Sequence, residues 1–267
     1  MATVSEQIEL LGKGLYGTSK SNIPDVLTIK SIPTVSELDY VGSEDFDKVM
    51  LDKILPAAVE EKINFRELLE IDYYWLCRCL RILNYGPYYT ATAIFCTQCH
   101  QISRDGNYRV DLRTIPCNPL PQNFNNKIVI DAEKFIDFKK SITISFKSIQ
   151  TMLNCDKDAM FQNKSGRKSR ELARLCYMVT AIGTNTNVNP IEVLHTIEHE
   201  MSAADYVVLK GLASEYTNYG LASGGSCTCP ACGNTDASFI AMIDDRFFRP
   251  TLGDIREWGN TRDSSNG

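Results

Sequence analysis

Cys96-Thr97-Gln98-Cys99 and Cys229-Pro230-Ala231-Cys232-Gly233 are the two stretches on which the reading of this chain turns. Each is a Cys-x-x-Cys pair, and two such pairs supply the four thiolates of a tetrahedral structural zinc site. The spacing suits the chemistry, because one tight turn can aim both sulfurs at a single ion. In the second pair Pro230 stiffens the turn and Gly233 lets the chain double back after its last ligand. The first pair has Thr97 and Gln98 inside it and no glycine behind it. Well over a hundred residues separate the pairs, far more than the loop of an ordinary zinc ribbon. A shared ion therefore clamps the two ends of a folded insertion. Cys227 and His100 adjoin the pairs as possible substitute ligands, and free thiols or a disulfide are the other readings of the four cysteines. Four protein ligands leave no open coordination position, so the zinc is expected to be structural.

Upstream, Asp72 is placed as the N-cap of a helix Tyr73 to Asn84 that stops at Gly86-Pro87. Tyr88 to Phe95 is β-branched and aromatic, a strand running directly into Cys96. Further strands are expected at Asp25 to Pro33, Tyr108 to Ile115, Lys127 to Ile130 and Ser141 to Lys147, with a Pro/Asn loop over Pro116 to Asn126. Ser43 to Lys62 has the pattern of an amphipathic helix that Pro56 kinks or splits. In the second half, Ser169 to Ile182 reads as a core helix ended by Gly183. Asn189-Pro190 opens another helix through about Met201, and Ser202 with Asp205 resembles a capping box starting a third. Leu221 to Ser226 is read as a Gly/Ser linker and Ala237 to Ile243 as a strand. The fold class is α+β, with zinc-ribbon-like knuckles bracketing a β-strand and helical insertion. The expected organisation is a flexible arm over 1–24, a single domain over 25–258 and a loose tail over 259–267.

With 267 residues, 43% of them hydrophobic, the chain can bury a core without a metal, which makes zinc a supplement. A net charge of −5 offers no broad attraction to nucleic acid or to an anionic membrane. No apolar run reaches the ~18 residues of a membrane span, and the polar, acidic start is unlike a secretory signal. Synthesis in the cytosol is expected. Ten cysteines in that compartment are thiols and metal ligands, and Cys77, Cys79, Cys117, Cys155 and Cys176 sit among apolar neighbours as small core residues.

Three further patterns carry chemically capable side chains. His195-Thr196-Ile197-Glu198-His199 matches the H-x-x-E-H string of inverted zinc metallopeptidases. Its histidines fall on a flank of the apolar stripe Val193, Leu194, Ile197 and Met201, which suits a solvated edge, and only Glu215 or Glu257 stands available as a third ligand. Lys164 to Arg170, with Arg174, is a basic run at a helix entrance, read as a solvated or salt-bridged face. The aromatic set Tyr73, Tyr74, Trp75, Tyr85, Tyr88 and Tyr89 is read as core packing. There is no phosphate-binding glycine loop, nucleophile elbow or paired-carboxylate motif, so neither an enzymatic role nor a small-molecule substrate is expected.

The ordered set of Phe65-Arg-Glu-Leu-Leu before Ile71-Asp72, a Leu/Arg helix ending in Asn84-Tyr-Gly86, a strand into Cys-x-x-Cys, a helical second half, Cys-Pro-Ala-Cys-Gly and Phe247-Phe-Arg-Pro250 resembles the baseplate-hub assembly proteins of contractile-tailed bacteriophages. The likeness spans about residues 25–252. It implies a bacteriophage tail protein, either a structural component of the virion baseplate or a factor for hub assembly in the host cytoplasm. Its partners would be other tail or baseplate proteins, with Cys96, Cys99, Cys229 and Cys232 holding zinc. A zinc-ribbon nucleic-acid-binding or transcription accessory protein is the alternative the knuckles permit and the acidic charge disfavours.

Overall fold

Val26-Leu-Thr-Ile-Lys30 alternates in and out, as a half-buried strand does. In the computed structural model of the protein, which describes residues 4–16, 22–32, 45–91, 93–103, 108–121, 124–161, 169–244 and 247–248, its partner comes from the segment expected to be a free arm. Strand β1, Ser5–Glu9, pairs antiparallel with β2, Val26–Lys30. The flexible arm at 1–24 is thus corrected: Ile8, Leu10, Leu11, Tyr16 and Ile23 are buried in the main core. β1 turns a single side chain, Ile8, inward, too few for a period to be read.

The Ser43 to Lys62 helix is split, as Pro56 requires. Helix α1, Phe46–Val49, passes through a π turn, Met50–Ile54, into α2, Leu55–Ala58. Proline has no N–H for the carbonyl one turn back and its ring crowds that oxygen, and a wider turn relieves both problems. Helix α3, Glu70–Tyr85, starts earlier than expected, with Leu69 as N-cap. Asp72 is therefore not the cap. Its buried carboxylate accepts the N–H of Leu11 at 2.6 Å and of Gly12 at 3.1 Å, together with the Tyr16 hydroxyl. The Tyr16 oxygen in turn accepts the Leu69 N–H at 2.9 Å. Gly86, at φ 80, ends α3 as expected.

Arg81 of α3 is fully buried and donates to three carbonyls, those of Phe247, Gly86 and Tyr88, at 2.7, 2.9 and 2.9 Å. It fixes the only described part of the Arg246 to Pro250 stretch. Phe247 and Phe248 are buried there against Tyr89 and Phe46.

The strand expected over Tyr88 to Phe95 is two strands in two sheets: β3, Tyr88–Ala91, and β4, Ile94–Phe95. β4 pairs with β5, Ile102–Ser103, and β3 with β6, Tyr108–Asp111. Within the Pro/Asn loop lies a two-residue strand, β7, Cys117–Asn118. β8, Ile128–Ile130, and β9, Ile142–Ile144, follow, then α4, Ile149–Lys157, and α5, Arg170–Met178. The helix expected to Ile182 stops at Met178, because Val179-Thr-Ala-Ile182 is strand β10, completing a β10-β9-β8 sheet. Its β-branched residues match helical spacing by coincidence, and sheet pairing decides the outcome. Helix α6, Pro190–His199, carries the expected Asn189 cap, closed by Glu192 into a capping box.

Helix α7, Ala203–Thr217, is capped by Ser202, whose hydroxyl accepts the Asp205 N–H at 3.1 Å. Asp205 does not complete a box. Its carboxylate reaches across to the N–H groups of Ile136, Asp137 and Phe138 and to the Ser202 hydroxyl. Burial opposes ionisation, but these donors outweigh it and hold the carboxyl below its usual range. A depressed pKa gives stability that is present above the unfolded-state value near ~4 and is lost as pH falls through the folded value. Asp205→Asn is accordingly expected to melt below the native protein at pH 7, with the gap narrowing as pH falls below about 4, as paired thermal melts would show.

The Leu221 to Ser226 linker is corrected to strand: β11, Gly220–Leu221, pairs with β7, and β12, Gly224–Cys227, pairs with β13, Ala237–Ile240. The result is a mixed helix and strand architecture with two hydrophobic cores. The main one gathers β1, β2, α1 to α3 and the β12-β13-β4-β5 sheet. The second lies among the β10-β9-β8 sheet and α4 to α7. Cys77 and Cys79 are buried in the first, Cys155 and Cys176 in the second, and Cys117 is partly buried. The tail at 259–267 lies outside the described residues.

Candidate metal centre

Each Cys-x-x-Cys sits in the turn of a β-hairpin. β4 leads into Cys96 and β5 leaves after Cys99; β12 leads toward Cys229 and β13 leaves after Cys232. β13 also pairs with β4, Ser238 opposite Phe95 and Phe239 opposite Ile94. Sheet hydrogen bonds therefore set the hairpins side by side, and residues far apart in sequence present their sulfurs at the same end of one sheet.

The two turns share a backbone pattern. The Cys96 N–H donates to the Gln101 carbonyl at 3.1 Å, and the Cys229 N–H to the Asn234 carbonyl at 2.7 Å. Gly233 takes φ 74 behind the second pair, and His100 takes φ 54 at the matching position behind the first. Histidine is among the residues that tolerate this left-handed conformation, so His100 fills the backbone role of the glycine that the first pair lacks.

The Cys96 and Cys232 sulfurs are 3.6 Å apart, those of Cys99 and Cys229 are 3.8 Å apart, and all four lie within 4.8 Å of one another. A tetrahedral ion with metal–sulfur bonds of about 2.3 Å needs sulfur–sulfur edges of about 3.8 Å, whereas a disulfide needs about 2.05 Å. The four cysteines fit a metal, and none is disulfide-bonded. Cys227 and His100 stand outside the cluster. Cys96 and Cys229 are buried, Cys99 is partly so, and Cys232 faces solvent.

The N–H of Cys99 pulls the Cys96 thiol down to about 6, helped by the Asn234 side-chain amide, whose nitrogen is 3.6 Å from its sulfur. For Cys232, the Asn234 N–H favours the thiolate, but partial desolvation of its sulfur within the cluster and the protons shared with the other three sulfurs outweigh it and push the thiol up to about 12. Four thiolates this close repel one another, and a dication among them reverses that balance while releasing their protons.

Two residues of this centre escaped the sequence reading. Asn234 supports Cys96, and its one signal is adjacency to Gly233. Gly224 is required because a Cβ there would lie 1.9 Å from the Phe239 carbonyl oxygen. Gly224→Ala is expected to prise β12 from β13, cost about 2–4 kcal/mol and weaken metal retention. Denaturant unfolding alongside a chelator competition assay would measure both.

The other candidates do not converge. His195 and His199 lie side by side with ring centroids 4.6 Å apart and planes tilted by 51° on the exposed flank of α6, and Glu198 is exposed beside them. Among the described residues, no third group joins them within metal reach. Nothing is described for Glu257 or for the side chain of Glu215. Of the basic run, 164–168 lies outside the described residues, Arg170 is exposed, and Arg174 pairs with Glu70 of α3. In the aromatic set, Tyr73 and Tyr85 are buried and the other four are partly buried. No described helix is long and apolar enough to cross a membrane. Compared with protein-family models, curated proteins and solved structures, the chain gives no match.

Proposed function

We propose that this chain is a zinc-stabilised structural or assembly protein of a contractile phage tail baseplate hub, acting through contacts with neighbouring tail proteins. The observation that carries the structural reading is the four-thiol cluster, which fills a tetrahedral coordination sphere and leaves no position for a substrate or an activated water. Zinc is the ion proposed, because an all-thiolate tetrahedral set suits it and a purely structural role needs no redox chemistry; iron is the competitor for such ligands. The adjacent hairpins are read as zinc-ribbon-like knuckles that bracket the rest of the fold. The phage assignment draws on the ordered motif set from Phe65 to Pro250.

A contact surface follows from the same sheet. Ile94, Ala237 and Phe239 face the main core, while the alternate positions Phe95, Ile102, Ile240 and Met242 are exposed. Phe95 stands opposite both Ile102 and Ser238, so these side chains form one apolar face beside the metal centre. Exposed apolar residues grouped on one face suit a partner better than solvent. The doubly substituted Phe95→Glu/Ile240→Glu protein is expected to keep its metal and melting temperature yet drop out of assembled baseplates, read by protein composition of purified tails. Normal incorporation would contradict this surface.

A further inference from the structure

Where the two cores meet, α3, α4 and α5 line a half-open cavity of about 210 Å³ with the segments after β9 and around β11. Ile71, Phe146, Met152 and Met178 form apolar walls, and the Tyr219 ring stands edge-on to Phe146 with centroids 6.5 Å apart. The charged groups on the wall are Glu70, Arg174 and Lys147. Arg174 is paired with Glu70 through one of its terminal nitrogens. Lys147 is half-buried, and its ammonium has no hydrogen-bond or ion-pair partner among the described residues. Burial pushes its amine down, the signature of a cation held away from water without compensation. Among the described residues, the wall thus carries one unmatched positive charge.

We propose that this cavity binds a small organic monocarboxylate carrying a single ring or an equally compact apolar body. Size supports this, because an apolar cavity of about 150 Å³ accepts benzene, and the larger volume here leaves room for a carboxylate as well. Charge supports it too. One carboxylate neutralises Lys147 and reaches the remaining N–H groups of Arg174, whereas a phosphate dianion leaves excess negative charge beside Glu70. The same chemistry is available from a free small molecule or from the C-terminal carboxylate of a partner chain ending in phenylalanine. This site is independent of the metal centre and of the apolar sheet face.

The test is calorimetric titration of the full-length, metal-loaded protein with phenylacetate and with its neutral counterpart phenylacetamide, repeated on Lys147→Met. Phenylacetate is expected to bind about tenfold more tightly than phenylacetamide, and Lys147→Met to remove about that factor. Acetyl-Gly-Gly-Phe, with a free carboxylate, and its amide form the second arm. Selective binding of the free-acid peptide assigns the site to a partner's terminus, while binding of phenylacetate with the peptide excluded assigns it to a free molecule; both support a carboxylate site. No binding by any probe, equal affinity for acid and amide, or unchanged phenylacetate affinity in folded Lys147→Met would overturn it. If Lys147→Met does not fold, the acid-to-amide ratio in the native protein decides.

Discussion

Cys229→Ser is expected to yield a protein without bound metal and with a melting temperature at least about 10 °C below that of the native protein. In zinc peptides the binding free energy is about 10–16 kcal/mol, as large as the whole stability of an ordinary domain. Here the β13 to β4 pairing already sets the hairpins together, so only part of that energy is needed for folding. A loss of about 5 kcal/mol corresponds to roughly 10–20 °C in a chain of this size. Serine is nearly isosteric, which keeps the packing change small and leaves the lost ligand as the cause. Cys96→Ser should behave alike, because its sulfur belongs to the same cluster. Cys227→Ser, outside the cluster, should stay within about 1 kcal/mol of the native protein and keep its metal. Thermal melts with metal analysis of the three variants check the contrast.

Asp72→Ala is the second large effect, about 3–5 kcal/mol, with selective loosening of the N-terminal segment. The substitution strips the acceptor from the Leu11 and Gly12 N–H groups and the Tyr16 hydroxyl in a buried setting. Each unsatisfied buried donor costs about 1–3 kcal/mol. Because these donors tie the turn after β1 to α3, limited proteolysis should cut within residues 5–16 of the variant before the native protein is cleaved anywhere. Asp72→Asn keeps one carbonyl acceptor and should fall between the two. Uniform destabilisation without early cleavage would mean that β1 is held mainly by its pairing with β2.

Local chemistry made much of this fold legible. Gly86, Asn189-Pro190 and Pro56 act through backbone constraints within a few residues, and the helix stop, the helix start and the π turn lie where those constraints put them. The four cysteines were legible because a two-residue spacer dictates a turn, and the structure brings the two turns' sulfurs within 4.8 Å of one another. What the sequence hid was long-range pairing. Val179 to Ile182 continues a helical pattern until β9 claims it as strand. Gly224 and Gly225 read as linker because nothing in their composition shows that Phe239 lies against them. Asp72 and Asp205 both look like helix-start residues, and both spend their carboxylates on backbone N–H groups about sixty residues away or more. Residues 4–16 carry no readable period for the same reason, since their placement depends on pairing with β2 and on Asp72.

The central claim is a single zinc ion shared by both hairpins, and zinc stoichiometry by native mass spectrometry tests it most directly, on chelator-washed protein together with Cys96→Ser and Cys229→Ser. The expected result is one zinc per native chain and none in either variant. A folded native chain with no metal, or zinc retained in both variants, would contradict it; zinc that survives both substitutions but disappears in His195→Ala would place the ion on α6 instead.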